Sequence, residues 1–418
     1  MRWFLPVCFI FVLFCAPRAS ATELHGFLEG AYGAKFADKR GERDRYNLME
    51  ARLQLKGLYF PALLEDHDGE LFFKAEFLAD GYDDDLYFYF RELNLFLSPA
   101  ESVDMKLGRQ VLTWGTGDFL FVNDLFPKDY VAFFTGRADE YLKRPSDAAR
   151  LWFFTDAASF DFVLIPVFEP NESLRGERVS FYDGIDGEIV GEGSVRSFEE
   201  PPRTAENAEL AARAYRTFGS VEGAVYFFRG FYKEPRGVLD ASKKEFFYPR
   251  LNVYGMSLRG PVWGGIGSVE LGYYESRDDR GGGDGSVENS SVKYLFGYTR
   301  DMGGELKVGL QWLVEEMLDY GEYRRSLPPE ARSRDEFRQL LTLRITKLLR
   351  SQTLTLSLFT FYSPTDDDVY LRPSVSYAVS DNLKVTAGAN LFSGADDHTE
   401  FGQLEGNQNA YVRVRYGF

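Results

Sequence analysis

The chain has 418 residues, a formal net charge of −16 and an aromatic content of 16%, with 38 Phe and 25 Tyr. This acidic balance, without a clustered basic stripe, argues against nucleic acid as a partner. Both cysteines, Cys8 and Cys15, stand near the N-terminus. The rest of the chain therefore offers no disulfide, thiolate nucleophile or cysteine-ligated metal.

The N-terminus has the pattern of an export signal. Arg2 precedes an apolar run from Trp3 to Ala16, and small residues follow at Ala19, Ser20 and Ala21. This arrangement is typical of a cleaved secretory signal peptide and is too short for a membrane-spanning helix. We expect residues 1–21 to be removed and residues 22–418 to form the exported protein.

Beyond residue 23 the chain is dominated by segments in which apolar and polar side chains alternate. Met49 to Lys56 and Leu383 to Leu391 are clear cases. Alternation with a period of two predicts strands with one apolar face, and roughly 9–11 residues suffice for a tilted strand to cross a bilayer. About 18 such segments are present, near residues 24–34, 47–58, 69–79, 86–97, 103–112, 148–156, 159–168, 205–217, 220–229, 246–259, 264–276, 289–299, 304–316, 335–348, 353–362, 369–379, 383–392 and 408–418.

The connections between these segments alternate in length. Short ones fall at 98–102, 156–158, 218–219, 260–263, 300–303, 349–352 and 380–382, and long polar ones at 35–46, 113–147, 169–204, 230–245, 277–288, 317–334 and 393–407. Short periplasmic turns and long extracellular loops are typical of outer-membrane barrels. We predict an all-β protein, a transmembrane antiparallel β-barrel of about 18 strands. A secreted sandwich or solenoid is the alternative, but no repeat of 20–50 residues is present.

The last strand, residues 409–418, carries Val412, Val414 and Tyr416 on one face and arginines on the other. It resembles the closing strand of Gram-negative outer-membrane barrels. The resemblance implies that Phe418 is read by the barrel assembly machinery. It also implies that the protein lies in the bacterial outer membrane, in contact with outer-membrane lipid and lipopolysaccharide.

If the apolar face of each strand meets lipid, the opposite face lines the lumen and is rich in cations. These predicted pore-lining residues are Arg52, Lys56, Arg338, Arg344, Arg372, Lys384, Arg413 and Arg415. Because acids concentrate in the loops, we expect too few carboxylates nearby to neutralise this basic wall, and hence a pore that favours anions. The alternative is that each arginine pairs with an inward-facing Glu and stiffens the barrel.

The long connection 113–147 differs from the other loops in its aromatic content, which makes free exposure to water unfavourable. We expect it to fold into the lumen as a constriction loop, with Asp118, Asp124 and Asp129 facing the basic wall. Trp114 and Asn123 belong to the same stretch. The alternative is a lid, or packing against a neighbouring subunit of a homo-oligomer.

One motif in this region resembles that of alginate-export-type and related porin-like barrels, in which a G-R-Q strand precedes W-G and a loop that enters the barrel. The matching residues are Gly108, Arg109, Gln110, Trp114, Gly115, Asn123, Asp124, Pro127 and Asp129. The resemblance supports a basic conduit and assigns Arg109 to the constriction. However, alternation from Met105 and Leu107 places Arg109 on the lipid face unless Gly108 marks a bulge.

These observations predict an outer-membrane porin for passive diffusion of small, anionic solutes. The alternative is an export conduit for an anionic polymer, or a partner of a periplasmic export system. A barrel enzyme would need a nucleophile beside a base, and no motif marks one near His398. His25, His67 and His398 lack metal-ligand spacing, so we expect no metal, no cofactor and no enzymatic activity.

Overall fold

A computed structural model describes residues 23–36, 46–328 and 332–418, so the predicted signal peptide lies outside the described residues. The strands in chain order are β1 (Glu23–Lys35), β2 (Tyr46–Tyr59), β3 (Glu70–Asp80), β4 (Asp85–Ala100), β5 (Val103–Val111), β6 (Pro145–Phe154), β7 (Ser159–Ile165), β8 (Phe181–Asp183), β9 (Glu188–Val190), β10 (Ser197–Glu199), β11 (Glu209–Phe218), β12 (Val221–Phe231), β13 (Gly237–Asp240), β14 (Glu245–Phe247), β15 (Arg250–Val262), β16 (Gly265–Ser276), β17 (Ser291–Asp301), β18 (Leu306–Met317), β19 (Phe337–Leu349), β20 (Leu354–Ser363), β21 (Asp368–Ala378), β22 (Leu383–Gly394) and β23 (Asn409–Gly417).

Eighteen of these strands form one antiparallel sheet that closes on itself. β1–β7, β11, β12 and β15–β23 pair in that order, and β23 pairs with β1 from Phe27↔Gly417 to Lys35↔Asn409. Closure leaves no free sheet edge, which is what a strand-built structure needs in lipid. The predicted fold class is confirmed, because every predicted segment corresponds to one barrel strand.

The remaining short strands lie in the long extracellular loops. β8 pairs with β9 in the loop after β7, and β14 pairs with both β10 and β13 to join that loop to the one after β12. The prediction that a barrel strand begins at residue 246 is wrong by four residues, because residues 245–247 belong to this small sheet. The long loops therefore have ordered structure of their own.

Two short α-helices and several 3-10 turns complete the described residues. Helix α1 (Tyr130–Thr135) lies between β5 and β6, and helix α2 (Tyr320–Ser326) lies between β18 and β19. The 3-10 turns are Ala62–His67, Asp139–Leu142, Ala205–Asn207 and Gly402–Asn407. No helix in these ranges is long and apolar enough to cross a membrane.

The outer surface carries the apolar face of the strands. On β23 the side chains of Val412, Val414 and Tyr416 are 42%, 44% and 49% exposed, whereas Tyr411 on the other face is buried. The same alternation places Leu28 outside and Glu29 inside on β1. A water-soluble protein would bury the apolar face, so this surface faces lipid and the barrel is transmembrane.

Both ends of the barrel sequence lie at the rim formed by short turns. The backbone N–H of Gly26 donates to the carbonyl of Phe418 at 2.9 Å, and the N–H of Phe418 donates to the carbonyl of Gly26 at 3.0 Å. Two-residue turns, such as the one between β4 and β5, lie at this rim. The short-turn rim is periplasmic and the long loops are extracellular.

Candidate functional site

The interior of the barrel contains the chain that connects β5 to β6, residues 112–144, which we call the interior segment. Near its start, Trp114 Nε1 donates a hydrogen bond to Asp161 Oδ2 of β7 at 2.8 Å. Further along, the Phe133 carbonyl accepts a bond from the Tyr370 hydroxyl of β21 at 3.3 Å. These partners lie on well-separated strands, so the interior segment runs across the lumen from wall to wall.

The first anchor of the interior segment is Glu270 of β16, whose side chain is 1% exposed. Its carboxylate accepts bonds from Asn123 Nδ2 and from the Gly117 N–H, both at 2.9 Å, and from the Thr116 N–H. Several donors converge on one buried charge, which satisfies much of its hydrogen-bonding capacity. Sequence reasoning did not single out Glu270, although its place on the polar face of β16 points into the lumen.

Glycines on the wall make room for this contact. A methyl group at Gly255 of β15 would overlap the side-chain oxygen of Asn123. A methyl group at Gly272 of β16 would come within 2.9 Å of a Val122 methyl. The interior segment therefore lies directly against the backbone of β15 and β16.

The second anchor pairs Asp118 with Arg344 of β19. Arg344 Nη2 donates to Asp118 Oδ1 at 2.8 Å, and its guanidinium lies 4.9 Å and 4.8 Å from the ring centroids of Phe119 and Phe359. Burial raises the pKa of Asp118 above its ordinary 3.8, and the charge of Arg344 opposes this rise without cancelling it. The carboxylate is thus poised to protonate at a higher pH than a free Asp.

Helix α1 forms the middle of the interior segment. Asp129 caps it by accepting a bond from the Ala132 N–H at 2.7 Å, a favoured N-cap arrangement. Phe133 and Phe134 of α1 pack at 5.8 Å and 5.6 Å from the Tyr370 ring. Burial of these rings fixes the helix against β20–β22.

Arg372 of β21 holds the segment beside this helix. Its guanidinium lies 4.1 Å from the Phe133 ring centroid, and Nη2 donates to Asp139 Oδ1 at 2.9 Å. Asn409 Nδ2 donates to the Phe134 carbonyl at 3.0 Å. The last strand of the barrel therefore also binds the interior segment.

A buried ionic network forms the third anchor, on β2 and β3. Arg137 Nε donates to Glu50 Oε1 at 2.7 Å, and Arg178 from the loop after β7 lies 2.5 Å from Asp80 Oδ2. Arg52 lies 3.1 Å from Glu50 and also contacts Glu76. Several cations share several carboxylates here, so the network fastens two separate segments to the same wall.

The predicted acidic positions of the interior segment do not all face the basic wall. Asp118 does so through Arg344. Asp124 instead pairs with Lys128 at 2.9 Å and Lys143 at 3.2 Å, both within its own segment, and Asp129 is used as a helix cap. The expectation is wrong for Asp124 and Asp129, because local partners satisfy both carboxylates.

The prediction that Arg109 belongs to the constriction also requires correction. Arg109 lies within β5 opposite Asp147 of β6, and it pairs with Asp147 at 3.2 Å and with Glu169 at 3.0 Å. The side chain of Asp147 is 60% exposed, whereas the neighbouring Ala148 is buried inside. Gly108 has a φ of +115°, but β5 and β6 stay in register there, so Arg109 keeps the outward face that alternation assigns to it.

Five of the eight predicted pore-lining cations are paired with carboxylates: Arg52, Arg338, Arg344, Arg372 and Arg415. Part of the compensation comes from the interior segment, since Glu140 lies 2.9 Å from Arg415. Part comes from neighbouring strands, since Glu29 lies 2.7 Å from the same guanidinium. The expectation of too few acids is wrong for these five residues.

The other three, Lys56, Lys384 and Arg413, have no carboxylate within ion-pair distance in the described part of the chain. Arg413 stacks over the Tyr411 ring at 5.5 Å. Lys307 of β18, which sequence reasoning missed, is equally without an acidic partner among the described residues. We call these four residues the unpaired cations.

The unpaired cations share the inward face and the periplasmic end of their strands. Lys56 shares its face with Arg52, and Lys307 shares its face with Gln311, which accepts a bond from the Asp118 N–H at 3.0 Å. Lys384 is opposite Arg415, which binds Glu140 of the interior segment. The unpaired cations therefore place positive charge in the lumen on the periplasmic side of the interior segment.

A cavity of about 900 Å³ lies largely on the extracellular side of the interior segment. Phe121, Lys128 and Tyr130 form its floor, and Glu315 and Arg338 are among its walls. Both signs of charge are present, and Arg338 contacts Glu315, Asp366 and Glu400. The volume is of the size that accommodates a small molecule.

No group of three or more potential metal ligands occurs in the described ranges.

Comparison with protein-family models and with curated proteins finds no match. Solved structures do match over nearly the whole chain. OccAB4 of Acinetobacter baumannii shares 11% identity with a TM-score of 0.58, covering 96% of this chain and 100% of that one. OccK11 (OpdR) of Pseudomonas aeruginosa shares 9% identity with a TM-score of 0.54, covering 95% and 96%. OccD3 (OpdP) of the same organism shares 10% identity with a TM-score of 0.53, covering 96% and 91%.

At this level of identity the likeness shows a shared fold. A closed antiparallel barrel with an apolar outer surface is the architecture of outer-membrane proteins, and it places this chain in the bacterial outer membrane.

Proposed function

We propose that the protein is a porin-like channel through which small anionic solutes diffuse passively across the outer membrane. The observation that carries the proposal is the set of unpaired cations, Lys56, Lys307, Lys384 and Arg413, on the inward face. In a narrow aqueous pore with low-dielectric walls, uncompensated positive charge raises the local concentration of anions.

The interior segment acts as the constriction of this channel. It crosses the lumen between the extracellular cavity and the unpaired cations, and it brings Asp118 against Arg344. Acidic and basic groups therefore meet at the narrow zone and create a local transverse field. A solute would enter the extracellular cavity, pass the interior segment and leave through the cationic periplasmic end.

The test is single-channel recording in planar bilayers, with the reversal potential measured under a salt gradient. Replacing Lys56, Lys307 and Lys384 by Gln should lower the anion-to-cation permeability ratio several-fold. These lysines make no ion pair in the described residues, so their replacement removes no direct contact of the anchors.

The matched control replaces three cations at the same periplasmic end that point outward, Arg216, Arg300 and Lys347, by Gln. It removes the same charge and should leave selectivity unchanged. A protein that gives no conductance, a cation-selective wild type, or equal effects of both triple variants would each refute the proposal.

The alternative is a conduit for an exported anionic polymer. A basic lumen suits such a polymer, but the interior segment would have to move out of the lumen to let it pass. The anchors at Glu270, Arg344 and Arg137 hold that segment across the pore. A long polyanion that enters the pore would block the channel current. We expect this block only after the central part of the interior segment has been deleted.

We assign no catalytic role. In the described residues, the ring of His398 contacts Arg332, lies 4.0 Å from Asp396 and faces the Tyr182 ring at 6.2 Å. This set contains no serine, threonine or cysteine side chain, the usual nucleophiles of a hydrolytic site.

A further inference from the structure

Four arginines come together at the extracellular rim of the barrel: Arg229 at the end of β12, Arg250 at the start of β15, Arg277 directly after β16, and Arg280 three residues later. We call them the rim arginines. They form a concentrated positive patch on a chain whose net charge is −16. None of them belongs to the proposed pore.

The strand register places the patch on the lipid-facing side. Arg229 is opposite Asn252, and Asn252 is opposite Glu275, so these three side chains form one row across β12, β15 and β16. The inward neighbours Phe228, Leu251 and Val253 are buried within the barrel. The Arg277 N–H donates to the Arg250 carbonyl at 2.9 Å, which brings these two residues together.

Acidic partners neutralise only half of the patch. Arg250 lies 2.5 Å from Asp278, and Arg280 lies 2.9 Å from Glu275. Arg229 and Arg277 have no carboxylate at ion-pair distance in the described ranges. Burial, and after it the charges of Arg229 and Arg250, lower the pKa of the Arg277 guanidinium. The patch thus holds like charges close together without enough counter-charge of its own.

Aromatic rings lie directly below the patch on the same outer face. Phe227 and Tyr254 have ring centroids 5.5 Å apart, and Tyr254 and Tyr273 have ring centroids 6.2 Å apart. Tyr254 is 47% exposed although it is large and apolar. Aromatic girdles mark the level at which the hydrocarbon core meets the headgroups. The rim arginines therefore lie at headgroup level in the outer leaflet.

We propose that the rim arginines bind the phosphate groups of a phosphorylated glycolipid headgroup, the lipopolysaccharide of the outer leaflet. Guanidinium groups bind phosphate through paired N–H donors, and Arg229 and Arg277 have that capacity available. Asn252 lies in the same row, but its Nδ2 already donates to Glu275 at 2.7 Å, so Arg229 and Arg277 carry the phosphate contacts. The patch continues directly into the aromatic girdle. A ligand that has acyl chains as well as phosphates can contact both surfaces and therefore fits better than a free anion.

The experiment measures binding of bisphosphorylated lipid A to the purified barrel in detergent by native mass spectrometry. Replacing Arg229 and Arg277 by Gln should weaken binding by tenfold or more, whereas replacing both by Lys should retain most of it. Dephosphorylated lipid A should bind weakly to all proteins, and inorganic phosphate alone should show no saturable binding.

The matched control replaces two outward arginines at the periplasmic rim, Arg216 and Arg300, by Gln and should bind lipid A as the wild type does. Heat-modifiable gel mobility confirms that each barrel is folded. Equal binding by the wild type and the Arg229/Arg277 Gln variant, or binding independent of phosphate, would overturn the proposal. Saturable binding of inorganic phosphate with no preference for the lipid would show a free-anion site and would also overturn it. Ion selectivity is a separate measurement, so failure of the channel proposal would not be confused with failure here.

Discussion

At the scale of single residues, the Asp118–Arg344 pair links charge in the lumen to pH. When Asp118 is ionised it compensates Arg344, and Lys307 also acts on it electrostatically. Because its pKa is raised above 3.8, Asp118 becomes neutral at a pH at which an ordinary Asp is still ionised. In the proposed channel, protonation of Asp118 would then add Arg344 to the cations that act on a passing anion.

We therefore predict that anion selectivity increases as the pH falls through the raised pKa of Asp118. Asp118→Asn should show the acid-like selectivity already at neutral pH, with a permeability ratio raised by roughly two- to fivefold, the effect of one unscreened charge of about 0.4–1 kcal/mol. Reversal potentials recorded over a pH series test this. An Asp118→Asn channel whose selectivity follows the wild-type pH dependence would exclude Asp118 as the titrating group.

A second residue-scale prediction concerns the close approach at Gly255. Gly255→Ala should destabilise the barrel by about 1–3 kcal/mol, because the added methyl overlaps Asn123 and strains a packed contact. Gly30→Ala is the matched control, since a methyl group at Gly30 of β1 meets nothing within 4 Å. Chemical unfolding in lipid vesicles compares the two. Equal midpoints would mean that the interior segment does not press against β15.

At the scale of elements, the barrel strands could be predicted because lipid and lumen impose a period of two on every strand. The inward path of the interior segment followed from its aromatic content. Its partners did not, because Asp118 and Arg344 are 226 residues apart and alternation says nothing about which strands they meet. Alternation correctly predicted that Arg109 faces outward, whereas the motif resemblance had assigned it to the constriction. Anchors such as Glu270 and Arg137 could not be predicted either, because alternation does not show which distant residues they contact in the fold.

The ionic network on β2 and β3 is an element-scale device that holds the interior segment still. Arg137→Gln should loosen that segment, because Glu50 loses a charged partner at 2.7 Å while Arg52 remains. Removing one member of a buried pair costs roughly 3–5 kcal/mol. We expect more frequent closing events in single-channel records and faster proteolysis between residues 112 and 144.

The control for this variant is Arg144→Gln. Arg144 pairs with Glu172 at 3.0 Å in a partly exposed position, where an ion pair contributes little. The single-channel records and the proteolysis rate of this variant should match those of the wild type. If Arg137→Gln and Arg144→Gln behave alike, the network does not restrain the interior segment.

At the scale of the whole molecule, charge is sorted by location. Five of the eight predicted pore-lining cations are neutralised by local acids, whereas the unpaired cations lie toward the periplasmic end of their strands. In the proposed channel, selectivity would then arise from a few solvated charges and not from the many paired ones. Charges of this kind are screened by salt, whereas the buried pairs are screened much less.

This distribution predicts that anion selectivity depends strongly on ionic strength. The Debye length is about 10 Å at 0.1 M salt and about 3 Å at 1 M, so selectivity should be clear at the lower concentration and nearly lost at the higher one. The variant with Gln at Lys56, Lys307 and Lys384 should be weakly selective at both concentrations. Reversal potentials at a fixed salt ratio and varied absolute concentration give the comparison. Selectivity that persists at 1 M in the wild type would point to the paired arginines beside the interior segment, because only charges within a few ångströms of the solute escape such screening.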